Sequence, residues 1–381
     1  MDGMPLPSLL SRRTAAVAVA LVVGTSASGC ASFADQETTA DEGTFSSVPT
    51  GVYRPDAPPA PSRPTDEGPP PTGPCIDPNP SVIATCLAST SGLRPADAQG
   101  QTTYVAERTT GKIILSKRFG PQRAIATVDV DASGDGGLID FEMSPTWMQD
   151  QMIFALITTP SDNRVVRIAP TGSVKPILTG IPKGPTGNLG SIAFTSPTEL
   201  TIATGDAGSP SDARNPSSLA GKILTIDPNR PGARPEVEAS GLGSNVALCR
   251  DATGGRLFVA DSGAAGDRLS LVSQKSLKTL WTWPGRPGVT GCATGTDWIA
   301  VSVASKKRID MFGKPTSASP SVSEPSSEDT SKTYGAVGRL TTFGGAYQLA
   351  TVNKTAPGTK PVGTDDRVAI NMPKPPAEDR T

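Results

Sequence analysis

Two aspartates in glycine-rich segments are the side chains of this sequence best suited to proton transfer. The chain contains no histidine, so a general base working near neutral pH would have to be another group. Asp135 lies in the run Gly-Asp-Gly-Gly and Asp206 in the run Thr-Gly-Asp-Ala, and burial would raise the pKa of either carboxyl toward the range that a base needs. The structural alternative is loop formation, because Asp and Gly adopt tight turn conformations. Asp135 and Asp206 are therefore weak candidate bases, and the sequence establishes no catalytic residue.

Asp135 also belongs to a segment with a possible set of oxygen ligands for a metal ion. The segment 129–140 has Asp or Ser at its first, third, fifth and seventh positions and Asp140 at its twelfth, which is similar to a calcium-binding loop. The eighth position is Gly136 rather than an aliphatic residue, the twelfth is not Glu, and the flanking residues lack helical periodicity. These departures argue against an EF hand and leave a non-helical calcium site as the alternative. We predict no metal ligand.

The elements that would position these side chains recur six times. Short apolar strands, each followed by a polar turn, can be aligned with spacings of 49, 47, 57, 41 and 49 residues at Tyr104, Ile153, Leu200, Leu257, Trp298 and Tyr347. A second strand follows in each unit, and Gly-rich turns separate the strand pairs. A solenoid could share this period, but neither end has a capping repeat. The pattern predicts an all-β, six-bladed β-propeller.

The propeller is predicted to span residues 75–373, followed by a C-terminal tail at 374–381. Residues 315–333 are rich in Ser, Pro and Glu and have no apolar pattern. We expect that stretch to form a disordered insertion loop in the fifth blade.

The N-terminal sequence predicts export. Arg12 and Arg13 precede an apolar run at 14–23, and small residues precede Cys30. This order is typical of a signal peptide, here 1–29, with lipidation at Cys30. Ordinary secretion with a chance cysteine is the alternative. Since the apolar run is about half of the roughly 20 residues that span a bilayer, we do not expect it to remain as a membrane helix.

The segment that follows is predicted to be a tether. Residues 30–74 are polar and Pro-rich, a composition that cannot bury a core, and we expect them to be disordered. An extended Pro-rich chain would hold the propeller away from the extracytoplasmic face of the cell membrane.

Five cysteines are consistent with this location. Assigning Cys30 to lipid leaves four, an even number suited to an oxidising compartment. Cys75 and Cys86 are close enough in sequence to close a small loop. Cys249 and Cys292 fall in the predicted channel-lining strands of neighbouring blades. We predict the disulfides Cys75–Cys86 and Cys249–Cys292.

The charge distribution excludes some partners. The chain has 35 basic and 36 acidic residues, a formal net charge of -1, and no basic block. It therefore lacks the electrostatic footprint of a nucleic-acid-binding protein. We expect a monomer attached to the membrane through its acyl chains.

Two segments resemble a known family. The run GDGGLIDFEMSP at 134–145 and the longer run at 187–227, GNLGSIAFTSPTELTIATGDAG followed by SLAGKILTID, are similar to the glucose/sorbosone dehydrogenases, which are sugar dehydrogenases dependent on pyrroloquinoline quinone (PQQ). The resemblance extends over about 102–267. The signal sequence, Pro-rich tether, cysteine pairs and the segment TVNKT also resemble the LppZ-type lipoproteins of mycobacteria and related actinobacteria. The first resemblance implies a propeller with PQQ and calcium as cofactors.

The family's functional residues transfer poorly to this chain. The resemblance implies a proton-abstracting His at the position of Gly187, oriented by an Asp that corresponds to Asp206. The family's Gln in the first motif is Asp135 here, and its quinone-binding Arg is Gly243. Because quinone carboxylates need fixed cations, the remaining candidates are Lys222, Lys306 and Arg339.

The predicted function is therefore binding rather than catalysis. We expect a cell-envelope propeller that binds a glycan, polyol or protein partner over its channel, with Asn188, Lys222 and Arg339 as candidate ligand-binding residues. One alternative is a PQQ-dependent sugar dehydrogenase that uses a carboxylate base, and another is a scaffold for envelope assembly.

Overall fold

The computed structural model describes residues 72–230, 232–251 and 255–374. The predicted signal peptide, Cys30, the tether up to residue 71 and the tail from residue 375 lie outside the described residues. Within the described part of the chain, no helix is long and apolar enough to cross a membrane.

Six four-stranded antiparallel sheets form the described structure, which confirms the six-bladed β-propeller. The first strand of the described chain is β1 (Val82–Ala84), which does not belong to the first blade. The first blade contains β2 (Thr90–Pro95), β3 (Thr102–Glu107), β4 (Lys112–Lys117) and β5 (Arg123–Thr127). The second contains β6 (Leu138–Met143), β7 (Ile153–Thr158), β8 (Asn163–Ile168) and β9 (Val174–Ile181). The third contains β10 (Ser191–Ser196), β11 (Glu199–Ala203), β12 (Lys222–Ile226) and β13 (Glu236–Ser240).

The remaining blades follow the same order from the inside outward. The fourth contains β14 (Val246–Arg250), β15 (Leu257–Ser262), β16 (Asp267–Ser273) and β17 (Ser276–Trp283). The fifth contains β18 (Val289–Thr294), β19 (Trp298–Val303), β20 (Arg308–Gly313) and β21 (Ser326–Asp329). The sixth contains β22 (Val337–Phe343), β23 (Ala346–Thr351) and β24 (Val368–Asn371). The loops hold α1 (Trp147–Asp150), α2 (Pro210–Arg214) and a 3-10 turn (Ala304–Lys306).

The repeated motif of the sequence is the second strand of each blade. Its six aligned residues fall in β3, β7, β11, β15, β19 and β23. β7, β19 and β23 are buried along their whole length, because each lies in the middle of a sheet that packs between two neighbouring blades. A strand covered on both faces needs apolar residues at nearly every position, and this makes it visible in the sequence.

The ring is closed by the start of the domain. β1 pairs antiparallel with β24, with Val82 opposite Ala369, and becomes the outer strand of the sixth blade. The closure is reinforced by the Cys75–Cys86 disulfide, with a Cα–Cα distance of 5.5 Å, and by an ion pair of 3.0 Å between Arg367 and Asp77.

The second disulfide also forms as predicted. Cys249 on β14 and Cys292 on β18 have Cα atoms 5.2 Å apart, so the bond joins the innermost strands of the fourth and fifth blades. The inner strands β2, β6, β10, β14, β18 and β22 contact one another in a closed ring around the channel.

The prediction of a disordered loop at 315–333 is wrong for its second half. Residues Ser326–Asp329 form β21, which pairs with β20 and places Asp329 opposite Arg308. An outer strand is partly solvent-exposed and needs only backbone hydrogen bonds on one side, so polar residues suffice. Ser327 adds a 2.6 Å hydrogen bond from its hydroxyl to Asp310 on β20.

Two arginines cross the channel and connect all six blades. Arg339 on β22 donates hydrogen bonds to the backbone carbonyls of Gly190, Val246 and Thr290, at 2.6, 2.8 and 3.1 Å, in or beside the inner strands of the third, fourth and fifth blades. Arg94 on β2 contacts Glu142 of the second blade at 3.1 Å and the carbonyl of Ile192 in the third at 2.9 Å.

The ring closure contains a buried acidic group. Asp366 and Leu87 exchange two backbone hydrogen bonds of 3.1 Å, which join the sixth blade to the segment that follows β1. The Asp366 side chain is buried, and its Oδ2 has no hydrogen-bond partner among the described residues. Burial raises the pKa of Asp366 from 3.8 to about 7, and the neighbouring charge of Asp365 acts in the same direction.

The ring closure should therefore weaken as pH rises. Because the carboxyl of Asp366 binds its proton more tightly in the folded than in the unfolded chain, its contribution to stability is largest below pH 4 and is lost as pH rises toward 7. Asp366→Asn cannot ionise. Between pH 4 and 8, the free energy of unfolding of the wild type should fall by roughly 2–4 kcal/mol relative to that of the variant.

Urea denaturation at several pH values measures this difference. Asp129→Asn, at an exposed carboxylate, is the control and should follow the wild-type pH dependence. Parallel curves for Asp366→Asn and the wild type would contradict the prediction.

Candidate functional site

The channel opens into a cavity at the end where the inner strands begin, which we call the upper mouth. The cavity has a volume of about 390 Å³, within the usual range for small-molecule sites. Aliphatic side chains form much of its wall, and none of the described residues that line it is aromatic. Its polar groups include Arg108, Asp135, Asn245, Thr290 and Arg339.

Asp135 cross-links two loops beside this cavity. It lies in the β5–β6 loop and accepts hydrogen bonds from the backbone N–H groups of Gly187 (2.7 Å) and Asn188 (3.2 Å) and from Nδ2 of Asn188 (2.6 Å). The carboxylate thus holds the β9–β10 loop against the preceding blade. Asp135, a weak candidate base, and Asn188, a candidate ligand-binding residue, both support the loops in this arrangement.

Asn188 itself is fully engaged. Its Oδ1 accepts hydrogen bonds from Nδ2 of Asn163 and the N–H of Gly184, both at 3.0 Å. Its Nδ2 donates to Asp135 and to the carbonyl of Gly184, the latter at 2.8 Å. With its side chain 2% exposed, Asn188 has neither a free donor nor access to a ligand.

Asp206 faces a different space. It is 5% exposed, and its Oδ1 accepts a hydrogen bond of 2.9 Å from the N–H of Gly208. It lines a separate cleft of about 240 Å³ with Arg214 and Arg268. Burial raises the pKa of Asp206, and the nearby charge of Asp135 adds to that rise. The two candidate bases are therefore neighbours that do not share a cavity.

The backbone at Gly187 has no room for a side chain. Gly187 has φ +81°, and a Cβ atom there would lie 2.4 Å from the N of Gly208 and 2.5 Å from Oδ1 of Asp206. The Asp206 carboxylate thus occupies the space into which a side chain at 187 would project. Gly243 is similarly closed, because a Cβ atom there would lie 1.8 Å from the carbonyl O of Ser262.

Lys222 is held inside the protein. It has no exposed surface, and its Nζ donates to the carbonyls of Asp212, Ala213 and Ala220 at 3.1, 2.7 and 2.9 Å. These bonds engage all three ammonium hydrogens, so none is left for a ligand. Lys306 is exposed and does not line the upper-mouth cavity. Of the predicted cations, only Arg339 lines it.

The side-chain oxygens of the calcium-like segment 129–140 do not meet at one point. Asp131 forms an ion pair with Lys183, Asp135 holds the β9–β10 loop, and Asp140 accepts a hydrogen bond of 2.8 Å from the hydroxyl of Ser191 near the opposite end of the channel. Among the residues that the structure describes, no group of three or more His, Cys, Asp or Glu could hold a metal ion.

Two polar residues of the cavity were missed from the sequence. Arg108 lines the wall and donates to the carbonyl of Gly136, and no sequence pattern singles it out. Asn245 follows Gly243 by two residues, in a segment already noted for its family resemblance. The residue lines the cavity, and its Oδ1 is buried without a hydrogen-bond partner in the described residues.

Comparisons with known proteins agree with this fold. Residues 93–277 match the family model for glucose/sorbosone dehydrogenase. The PQQ-bound aldose sugar dehydrogenase of Streptomyces coelicolor is 25% identical, with a TM-score of 0.66 over 76% of this chain and 95% of that chain. A putative oxidoreductase of the glucose dehydrogenase type from Thermus thermophilus is 24% identical, with a TM-score of 0.66 over 76% and 98% of the two chains.

A more distant neighbour has the same fold. The soluble aldose sugar dehydrogenase of Escherichia coli is 15% identical, with a TM-score of 0.62 over 77% of this chain and 99% of its own. No curated protein sequence matches the chain.

The described upper mouth does not fit PQQ. Quinone carboxylates need fixed cations, and Arg339 already donates hydrogen bonds to three backbone carbonyls. Arg108 also lies beside the negative charge of Asp135. Position 243, where the family resemblance implies a quinone-binding Arg, cannot hold any side chain without movement of the backbone.

The closure of position 187 can be tested by adding one methyl group. Gly172 has nearly the same backbone angle, φ +83°, but nothing lies within 4 Å of a Cβ built there. Gly172→Ala should cost roughly 1–2 kcal/mol for the left-handed conformation alone. Gly187→Ala should destabilise the protein by roughly 1–3 kcal/mol more, because its Cβ also collides with Asp206 and Gly208.

Urea denaturation of the two variants gives the comparison. Equal losses of stability would mean that position 187 can accommodate a side chain, contrary to the prediction.

Proposed function

We propose that this protein is a sugar-dehydrogenase-like propeller that binds a sugar or polyol at its upper mouth and does not oxidise it with PQQ. The observation that carries this proposal is the closure of positions 187 and 243 by neighbouring backbone and side-chain atoms. Residues at these positions supply the base and a quinone contact in the family that the chain resembles. The loops of this chain have no room for either residue at these positions. The proposal therefore does not depend on the missing histidine alone.

The cavity chemistry favours a hydroxylated ligand. The unpartnered Oδ1 of Asn245 can accept a hydrogen bond from a hydroxyl group, and the guanidinium of Arg108 can donate one. The aliphatic wall, which includes Ile139, Leu189 and Val352, suits the C–H surface of a sugar ring or polyol. Hydroxyl groups supply both donors and acceptors, which makes this class a better match than an apolar or a purely anionic ligand.

The second candidate function is catalytic, a sugar dehydrogenase that depends on PQQ. The raised pKa of Asp206 and the similarity to an aldose sugar dehydrogenase favour a dehydrogenase with a carboxylate base. This function would require PQQ to bind. The carbonyl contacts of Arg339 and the closed positions 187 and 243 oppose it.

Titration with PQQ distinguishes the two functions. We expect no change in the quinone absorbance at micromolar protein, and no reduction of an artificial electron acceptor with PQQ, calcium and glucose. A saturable absorbance change accompanied by turnover would establish the enzyme and overturn the binding proposal.

The sugar site is tested at Asn245. Calorimetric titration with glucose and with sorbitol should detect binding of at least one of them, and Asn245→Leu should weaken it roughly 2–10-fold through loss of one neutral hydrogen bond. Asn229→Ala, at an exposed turn residue, is the control and should bind as the wild type does. Equal affinity in the Asn245 variant would exclude this cavity as the site.

We further propose that lipidated Cys30 displays the propeller on the extracytoplasmic face of the cell membrane. The proposal is supported by the order of basic, apolar and small residues before Cys30 and by the two disulfides of the propeller, which suit an oxidising compartment. It agrees with the resemblance to LppZ-type lipoproteins. An envelope protein remains the alternative partner of the displayed propeller.

Replacing Cys30 tests the anchor. Cys30→Ser should move the protein from the membrane fraction to the soluble fraction and abolish labelling with radioactive palmitate, because the thioether to the lipid cannot form. A variant that stays in the membrane fraction would contradict lipid anchoring at this residue.

A further inference from the structure

The channel has a second cavity at the end where the inner strands finish, which we call the lower mouth. Its volume is about 350 Å³, and residues of all six inner strands line it. A shallower groove continues outward between the second and third blades and shares Glu142 and Arg250 with it. The upper-mouth proposal makes no use of this space, which is large enough for a small organic molecule.

The charged groups that line the lower mouth do not balance. Three are basic, Arg94, Arg250 and Arg339, and two are acidic, Asp140 and Glu142, so the lining has one excess positive charge (3 − 2). Both carboxylates are engaged by Arg94, with N–O distances of 3.4 Å to Asp140 and 3.1 Å to Glu142. Arg94 and these two carboxylates together carry one negative charge, and Arg250 and Arg339 together carry two positive charges.

Arg339 is a buried cation whose hydrogen-bond partners in the described residues are all backbone carbonyls. It is 9% exposed, and its hydrogen bonds go to three backbone carbonyls. No carboxylate of the described residues forms an ion pair with it. Burial lowers the pKa of Arg339, and the negative charge of Asp140 partly offsets this effect. An anion in the cavity would add a further opposite charge.

Arg250 adds a second cation at the rim of the same cavity. It is exposed and donates to the carbonyl of Phe194. Within the described residues it, too, has no carboxylate partner at ion-pair distance. Guanidinium groups bind carboxylates and phosphates through charge-assisted hydrogen bonds.

We propose that the lower mouth binds a small organic anion, through a carboxylate or phosphate group that interacts with Arg250 at the rim and is attracted by the excess positive charge of the lining. The anion neutralises the excess charge of the lining, and the adjoining groove accommodates the rest of the molecule. Asp140 and Glu142 keep Arg94 engaged and oppose ligands of higher negative charge. This site is separate from the proposed sugar site and does not depend on it.

Calorimetry on the purified protein with its disulfides intact, at low ionic strength, tests the proposal with glucuronate and glucose 6-phosphate. Both are hexopyranoses that carry their anionic group at C6, so the two titrations distinguish a carboxylate ligand from a phosphate ligand. At least one should bind, and its affinity should fall as sodium chloride is added.

Two variants should change this affinity in opposite directions. Arg250→Gln should weaken binding roughly 10-fold or more through loss of a charge-assisted contact. Glu142→Gln should strengthen it several-fold, because removal of one carboxylate increases the excess positive charge of the lining. A purely structural role for these residues would predict weaker binding in both variants.

Arg286→Gln, at an exposed arginine outside this cavity, is the matched control and should bind as the wild type does. Thermal melting confirms that each variant is folded. Absence of binding by both anions, unchanged affinity in Arg250→Gln, or loss of affinity in Arg108→Gln at the upper mouth would overturn the proposal.

Discussion

The guanidinium of Arg339 is the group on which the rest of this propeller depends. From the sixth blade it reaches carbonyl groups in or beside the inner strands of the third, fourth and fifth blades. Arg94 makes the complementary connection from the first blade to the second and third. A ring of six sheets has few covalent constraints, so these two buried cations fix how the inner strands approach the axis. The β1–β24 pairing then closes the ring at its circumference.

This arrangement also determines what the two mouths can bind. Arg339 lines both cavities, but backbone carbonyls already engage it, which makes it a poor clamp for a quinone at the upper mouth. At the lower mouth its charge adds to that of the exposed Arg250 and gives the lining its excess positive charge. The loops at the upper mouth leave no space at two positions. Asp206 and the Ser262 carbonyl lie where side chains at 187 and 243 would begin. The propeller therefore resembles that of the sugar dehydrogenases, but these two positions have no room for functional side chains.

Much of the architecture could be predicted from the sequence because the second strand of each blade is buried on both faces. That burial requires an apolar run at a regular period, and the six runs correctly predicted six blades. The same reasoning failed for β21, whose residues Ser326–Asp329 are polar because an outer strand has little to bury. The ring closure could not be predicted in this way. β1 has only three residues, too few to show a pattern, and its partner β24 lies at the other end of the domain. The Cys249–Cys292 disulfide was predictable because both residues fall in inner strands of adjacent blades.

The sequence alone determined the repeat, the pairing of cysteines and the absence of a histidine base, since each follows from residue type and spacing along the chain. Only the tertiary structure decided which polar groups remain available. Lys222 and Asn188 were reasonable ligand candidates by type, yet carbonyls and amides from distant segments engage all their hydrogen-bonding groups. Asn245 and Arg250 gained significance because, among the described residues, Oδ1 of Asn245 has no hydrogen-bond partner and Arg250 forms no ion pair. Hydrogen-bond saturation depends on neighbours brought together by folding, and a linear pattern of residues does not contain it.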